Sequence, residues 1–302
     1  MSNLPTVRQL ECFVAVTKTL NFRLAAELCL ITQPALSAQI QQLESSLDVR
    51  LFERTTRSVM PTAAGVAMAD KARSILADVH ELGEHARSFR QPLAGSLRLG
   101  VIPTVAPYTL PTALAEVQRR HPALRLLLRE GQTHELVRLL TDGSLDVLLL
   151  ALETDLGDVE TLPLFTDRFV LAVPPSHRLA RRKRVSMKDL ADEQVLLLED
   201  GHCLREQSLP ICEQAGACEV GDFRASSLNT LAQMVAAGVG ITLLPDMSVR
   251  DVGGTRAGLV TIPFGARGPA RTIGLAWRRS SVRGDEFRLL AEALQQGRRR
   301  GR

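Results

Sequence analysis

The chain has 302 residues, a formal net charge of +4 and 5 cysteines. With 45% hydrophobic and 23% charged residues it is a folded protein rather than a disordered one, long enough for two or three domains. No apolar run approaches the roughly 18 residues of a membrane span, and the first ten residues lack the apolar core of a signal peptide. A cytosolic, reducing address is therefore expected, with the cysteines free, metal-bound or redox-active. They show no C-x-x-C spacing, so a zinc site is not expected, and nothing else in the sequence implies a cofactor. The charge is unevenly placed. Residues 1–90 carry 10 Lys/Arg and 9 Asp/Glu, residues 91–277 carry 19 and 21, and residues 278–302 carry 8 and 3. The basicity belongs to a C-terminal segment ending RRRGR, and net charge alone is no argument for DNA binding.

The first 90 residues read as almost continuous helix. Thr6 can cap a helix carrying Leu10, Phe13, Val14 and Val16, and Asn21 can cap Phe22–Leu28. After a break at Leu30–Ile31, Thr32 can cap a third helix, Gln33 to about Leu47, with Pro34 just inside its start. Leu36, Ile40 and Leu43 fall on one face of that helix, and Ser37, Gln41 and Glu44 on the other. This order is a helix-turn-helix. The following LFERTTRSVMPTAAG reads as a short β wing presenting Arg54 and Arg57 to phosphate. A longer helix then runs from Thr62 to about Phe89. Its Ala72, Ile75, Val79, Leu82, Ala86 and Phe89 step by three and four, a narrow seam that predicts a partner helix and a dimer. One face packed on its own domain would give the same pattern.

Beyond Gln91–Gly95, strands and helices alternate. Strands are expected at Leu97–Ile102, Arg125–Arg129, Val147–Leu152, Phe169–Val173, Val195–Glu199, Asp222–Ser226, Ile241–Leu244, Val260–Pro263 and Thr272–Trp277. Helices are expected between them, as at Thr133–Thr141 and Leu228–Ala237. The pattern is α/β, and about 210 residues of it suggest two lobes.

The stretch RQLECFVAV…NFRLAAELCLITQPALSAQIQQLESSLDVRLFERTTR…PTAAG resembles the LysR-type transcriptional regulators in residue order and spacing. Within that family the second half is similar to the OxyR-type peroxide sensors. The residues that carry this are GVIPTVAPYTLP at 100–111, EGQTHEL at 130–136, LEDGHCLREQ at 198–207, Cys212, and MVAAGVGITLLP at 234–245. The resemblance implies a winged helix-turn-helix over 1–61, a dimerising linker helix over 62–91, and a redox-sensing domain over 92–302. That domain would be built like a periplasmic binding protein, one lobe spanning about 92–165 with 268–302 and the other 166–267. It also implies a regulator of oxidative-stress genes, activator or repressor. Its partners would be double-stranded promoter DNA, hydrogen peroxide and further copies of itself, up to a tetramer, with RNA polymerase open as another.

For DNA contact, Thr32, Gln33, Pro34, Ser37 and Gln41 occupy or flank the recognition helix. Gln can pair with adenine, and a helix N-terminus suits a phosphate. The resemblance puts Gln33, Pro34 and Ser37 at DNA-facing positions. Ala38, Gln41 and Gln42 stand where relatives often carry basic residues, which shifts phosphate binding to Arg54, Arg57 and Arg23. Each polar residue reads equally well as a solvated helix face.

Cys12 and Cys29 fall inside the three-helix unit and read as small core residues. Cys203 follows Asp200-Gly201-His202 at a helix start and precedes Arg205. The helix N-terminus, the imidazole and the guanidinium would each favour thiolate. A buried inert thiol in a turn fits the same spacing. If Cys203 and Cys212 shared one helix, their Cα atoms would lie about 13 Å apart, against roughly 4.4–6.8 Å for a disulfide. Pro210 is expected to break such a helix. The resemblance implies that peroxide oxidises Cys203, that Cys212 resolves it to a disulfide, and that Thr104, Thr133, His202, Arg205 and Arg271 hold the peroxide. Cys218 stands as a competing thiol, and spacing does not decide connectivity. Two other readings remain open: a thiol peroxidase using Cys203, and a regulator governed by a metabolite bound between the lobes.

Overall fold

Three side-chain caps start the first three helices. The computed structural model describes residues 4–54, 59–88, 93–253, 258–266 and 268–301. At α1 (Val7–Thr19), the Gln9 N–H donates to Thr6 Oγ1 at 3.2 Å and the Thr6 N–H donates to Gln9 Oε1 at 2.9 Å. Asn21 accepts from the Arg23 and Leu24 N–H groups before α2 (Phe22–Leu28), and Thr32 from the Ala35 N–H before α3 (Gln33–Leu47). Each such cap is worth about 1 kcal/mol. Between α2 and α3, Leu30 adopts a left-handed φ of 55° and is 91% exposed, so the tight turn is made without a glycine.

Cys12, Phe13, Val16, Leu36, Ile40 and Leu43 close the core of this unit, with Phe52 edge-on to Phe13 and Phe22. Cys12 is buried as expected. Cys29 instead lies half-buried at the end of α2, because the chain is already turning there. The wing is a hairpin of β1 (Phe52–Arg54) and β2 (Val59–Pro61). Arg57 and the side chain of Arg54 fall outside the described residues. Next, α4 (Ala63–Ser88) buries Ala69 and Ala72 against the same core, while Ile75, Val79 and Leu82 are exposed. The expected seam therefore divides: Ala72 belongs to its own unit, and Ile75, Val79 and Leu82 stay exposed. Phe89 and the side chain of Ala86 lie outside the described residues.

The chain divides into two compact units, Met1–Ala86 with Thr141–Ser144, and Arg87–Leu140 with Leu145–Arg302. The second begins with β3 (Gly95–Val101), α5 (Ala106–Arg120), β4 (Leu124–Glu130), α6 (Thr133–Thr141), β5 (Val147–Ala151) and β6 (Val159–Val173). It continues through β7 (Gln194–Leu198), α7 (Cys203–Ala215), β8 (Cys218–Ala225), α8 (Leu228–Ala236), β9 (Thr242–Pro245), α9 (Val249–Val252), β10 (Val260–Pro263), β11 (Ala270–Arg278) and α10 (Gly284–Gly301). Strand order is β10-β6-β11-β5-β3-β4, with β9 also on β6. β3 is parallel to β4 and β5, and β5 is buried on both faces, hence its unbroken Val-Leu-Leu-Leu-Ala run.

β6 joins two lobes. Its first part, through Arg168, pairs with β11, and from Phe169 onward it pairs with β10 and β9. The strand starts at Val159 rather than Phe169, because its first half is only partly buried and carries no continuous apolar signal. Two separate cores result. One gathers β3, β5, α6 and α10 around Leu97, Leu149 and Phe287, and the other gathers β7, α7, α8 and β9 around Leu171, Leu197 and Leu243. At about 1.5–3 kcal/mol per fully buried apolar side chain, each core can hold its lobe together. The C-terminal arginines extend α10. Gly297 lets that helix approach α5, since a Cβ there would lie 2.7 Å from Ala113 Cα. Arg298 stacks 3.3 Å above the Phe165 ring, and Arg300 donates to buried Glu116 at 2.7 Å. Among the described residues no helix is long and apolar enough to cross a membrane.

Candidate redox and DNA-binding sites

Cys203 is the first residue of α7, and the helix runs unbroken to Ala215. Pro210 does not break it, contrary to expectation. Proline deprives the Glu206 carbonyl of its helical donor, but both residues are exposed, so water can take the donor's place. Packing supplies the rest: Leu204, Ser208 and Cys212 form a buried stripe at i, i+4 and i+8 against the second core. A nine-residue separation at 3.6 residues per turn puts Cys203 and Cys212 about 180° apart around the helix, as well as about 13 Å apart along it. Cys203 accordingly packs in the first lobe's core, and Cys212 in the second's.

Around Cys203 the chemistry converges from both lobes. Gly201, at φ +91°, adopts a backbone conformation that residues with side chains rarely take, and it lies beside Gln132 and His134 of the first lobe. Burial pushes the Cys203 thiol above its ordinary range. The Arg271 guanidinium, the Thr133 hydroxyl and the Leu204 N–H work in the other direction, and Glu206 adds to the rise. The helix start acts toward thiolate as expected, and so does a guanidinium, that of Arg271 rather than Arg205, but at 3% exposure desolvation outweighs both in the resting fold. Thr133 opens α6 with its hydroxyl buried and without an oxygen or nitrogen partner, facing the Cys203 thiol. It does not cap its helix; it faces the thiol closely enough to favour the charged form.

Arg271 supplies the positive charge that acts on Cys203. It is 1% exposed and donates to Asp167 Oδ2 at 3.0 Å, to Thr104 Oγ1 at 2.9 Å and to the Thr104 carbonyl at 3.1 Å. His202 is buried, its Nε2 3.7 Å from Glu199. Arg205 is a second correction. Its guanidinium is committed to Glu219, at 2.6 and 3.1 Å, and to Asp200 at 2.8 Å, since β8 delivers Glu219 to that side of α7. It anchors the helix start rather than serving the thiol. Asp167 and Met247, whose N–H donates to Asp167 Oδ1 at 3.1 Å, belong to the cluster and were not expected. A lone carboxylate preceding the apolar run FVLAV was the available signal. Cys212 is pushed up to about 11 by burial, then by Glu219 and Glu213. Cys218 is exposed on β8.

In the N-terminal unit, Thr32, Gln33, Pro34 and Gln41 are exposed along α3 and Ser37 is half-buried. α3 carries no Lys or Arg. Arg23 pairs with Glu27 at 2.6 Å, and Gln42 accepts from Gln9 at 3.4 Å. Among the described residues no group of three or more His, Cys, Asp or Glu is placed to hold a metal ion.

Comparison with known proteins matches residues 7–66 to the bacterial regulatory helix-turn-helix family named lysR and residues 90–299 to the LysR substrate binding domain. Over 297 residues the chain is 46% identical to a probable hydrogen peroxide-inducible genes activator of Streptomyces viridosporus, covering 98% of this chain and 95% of that one. It is 44% identical over 289 residues to the DNA-binding transcriptional dual regulator OxyR of Escherichia coli strain K12, covering 96% and 94%. Among solved structures, a mutant Corynebacterium glutamicum OxyR bound to H2O2 aligns with a TM-score of 0.69 at 36% identity, covering 99% and 94%.

Proposed function

The chain belongs to the LysR family of bacterial DNA-binding regulators, and we propose that it is a hydrogen-peroxide sensor switched by Cys203 and Cys212. Residues 1–61 would bind promoter DNA, 62–91 would pair two copies, and 92–302 would carry the switch. The observation that supports this best is the placement of the two thiols on opposite faces of one helix, in two separate cores, with a buried guanidinium and an unsatisfied hydroxyl at the first.

The Thr133 hydroxyl, facing Cys203, would accept from or donate to a small polar molecule there, with Arg271, itself bonded to Thr104, supplying positive charge. The Cys203 thiolate attacks one peroxide oxygen, the O–O bond breaks, and hydroxide leaves, giving the sulfenic acid. The Cys212 thiol then condenses with it, releasing water and forming the S–S bond. Because that bond needs Cα atoms roughly 4.4–6.8 Å apart, α7 has to unwind and leave at least one core. The repacked domain changes how the oligomer grips DNA. In this scheme peroxide is consumed once per switch rather than turned over, no cofactor takes part, and the protein works in the reducing cytoplasm, where the thiols are restored.

Footprinting of full-length Cys203→Ser on operator DNA, with and without peroxide, tests it. The expected result is a footprint that no longer responds to peroxide, and a persisting response would overturn the scheme. A second reading, control by a metabolite, draws on a cleft of about 600 Å³ lined by Tyr108, Thr112, Asp246, Arg250, Asp251 and Arg298, among others. A small molecule that alters DNA binding by Cys203→Ser would favour it.

A further inference from the structure

In the antiparallel register of β6 and β11, Arg271 lies opposite Asp167. Both are buried. The carboxylate takes Arg271 Nε through Oδ2 and the Met247 N–H through Oδ1, so both its oxygens are used. A guanidinium is a rigid planar fork. Once Nε is held, the directions of Nη1 and Nη2 are set, and both point at Thr104, on the loop between β3 and α5. Asp167 sits one residue before Phe169's neighbour Arg168, where β6 stops pairing with β11 and starts pairing with β9 and β10. Met247 follows β9 in the second lobe and also touches Arg271 through its sulfur at 3.6 Å. One buried carboxylate thus links the strand that crosses between lobes, the strand that returns, and the segment after β9. Burying it opposes its charge, and Arg271 offsets that cost.

We propose that Asp167 is a positioning residue for the chemistry of Cys203: it aims the Arg271 guanidinium, and its bond to the Met247 N–H makes that aim depend on how the two lobes pack. The proposal rests on Cys203 being the reacting thiol. Charge alone predicts the opposite of positioning. Removing a nearby negative charge leaves Arg271 less neutralised and would favour the thiolate, whereas losing the aim withdraws Arg271's support and disfavours it.

The test measures carboxamidomethylation of Cys203 by iodoacetamide across pH in the full-length reduced protein, read by peptide mass spectrometry with exposed Cys218 as internal reference. The variants are Asp167→Asn, Arg271→Gln, both together, and Asp167→Glu. Asp167→Asn is expected to slow Cys203 roughly tenfold at neutral pH and move its profile to higher pH, because only the thiolate reacts. In the Arg271→Gln background the same change is expected to add less than about twofold, as for residues acting through one another. Asp167→Glu keeps the charge but displaces it, and is expected to slow Cys203 as well; it also serves if the Asn variant fails to fold. A wild-type or faster rate in Asp167→Asn, an equal effect in both Arg271 backgrounds, or a wild-type rate in Asp167→Glu would overturn the proposal. Peroxide is not a reagent in this experiment, so its outcome is independent of whether peroxide is the oxidant.

Discussion

The two ends of α7 carry the same side chain in opposite surroundings. At the start, Cys203 lies against the first core, where Arg271 and Thr133 partly offset the cost of its burial. Further along, Cys212 lies in the second core, where Glu219 and Glu213 add to that cost. Both thiols are raised by burial, but only Cys203 has a cation and a hydroxyl working against that rise, which is why the proposed scheme makes it the attacking thiol. One helix holds the two sulfurs on opposite faces, so joining them would require α7 to change its course.

Breaking the comparison at its strong end should have the largest effect. Cys203→Ser is expected to abolish peroxide-dependent change in the DNA footprint, while Cys212→Ser should still consume Cys203, to a sulfenic acid trappable by dimedone, without forming a disulfide. Equal consumption of both thiols in the wild type before any disulfide appears would erase the distinction. A smaller effect is expected from Thr133→Val, which removes the unsatisfied hydroxyl and keeps the volume: Cys203 oxidation should slow by roughly 3–10-fold, a loss of about 1 kcal/mol, with Cys212 alkylation unchanged. Stopped-flow oxidation at wild-type speed would remove Thr133 from the site.

A different effect, on stability and not on reactivity, is expected at high pH. Cys212 titrates at about 11 in the fold against an ordinary 9.0. As pH rises past 9.0 the unfolded chain gives up this proton first, so the native state binds more protons and loses stability toward pH 11. Cys212→Ser should flatten that decline in urea melts between those limits, and an unchanged slope would contradict the burial of this thiol. Cys12, also held at about 11 chiefly by burial, acts in the same sense in the N-terminal unit.

Local signals in the sequence placed what is local in the structure. The caps Thr6, Asn21 and Thr32, the α6 span Thr133–Thr141 and the β10 span Val260–Pro263 all stand where residue pattern puts them. Pro210 misled because proline's penalty is a local rule, and tertiary packing of Leu204 and Cys212 overrode it. Arg205 misled because nearness along the chain suggested Cys203, while its partner Glu219 arrives from β8. Asp167 was illegible for a related reason: it meets Arg271 across 104 residues, through a strand register that no local pattern encodes. The resemblance to a known family supplied the pairing of Cys203 with Cys212, which spacing left open.

The most direct test is peptide mass spectrometry of disulfide connectivity in full-length protein after a stoichiometric peroxide pulse, quenched by alkylation. The proposed scheme predicts one dominant product, Cys203 joined to Cys212, with Cys12, Cys29 and Cys218 alkylated. A dominant bridge through Cys218, or oxidation of Cys203 with no bridge at all, would contradict it.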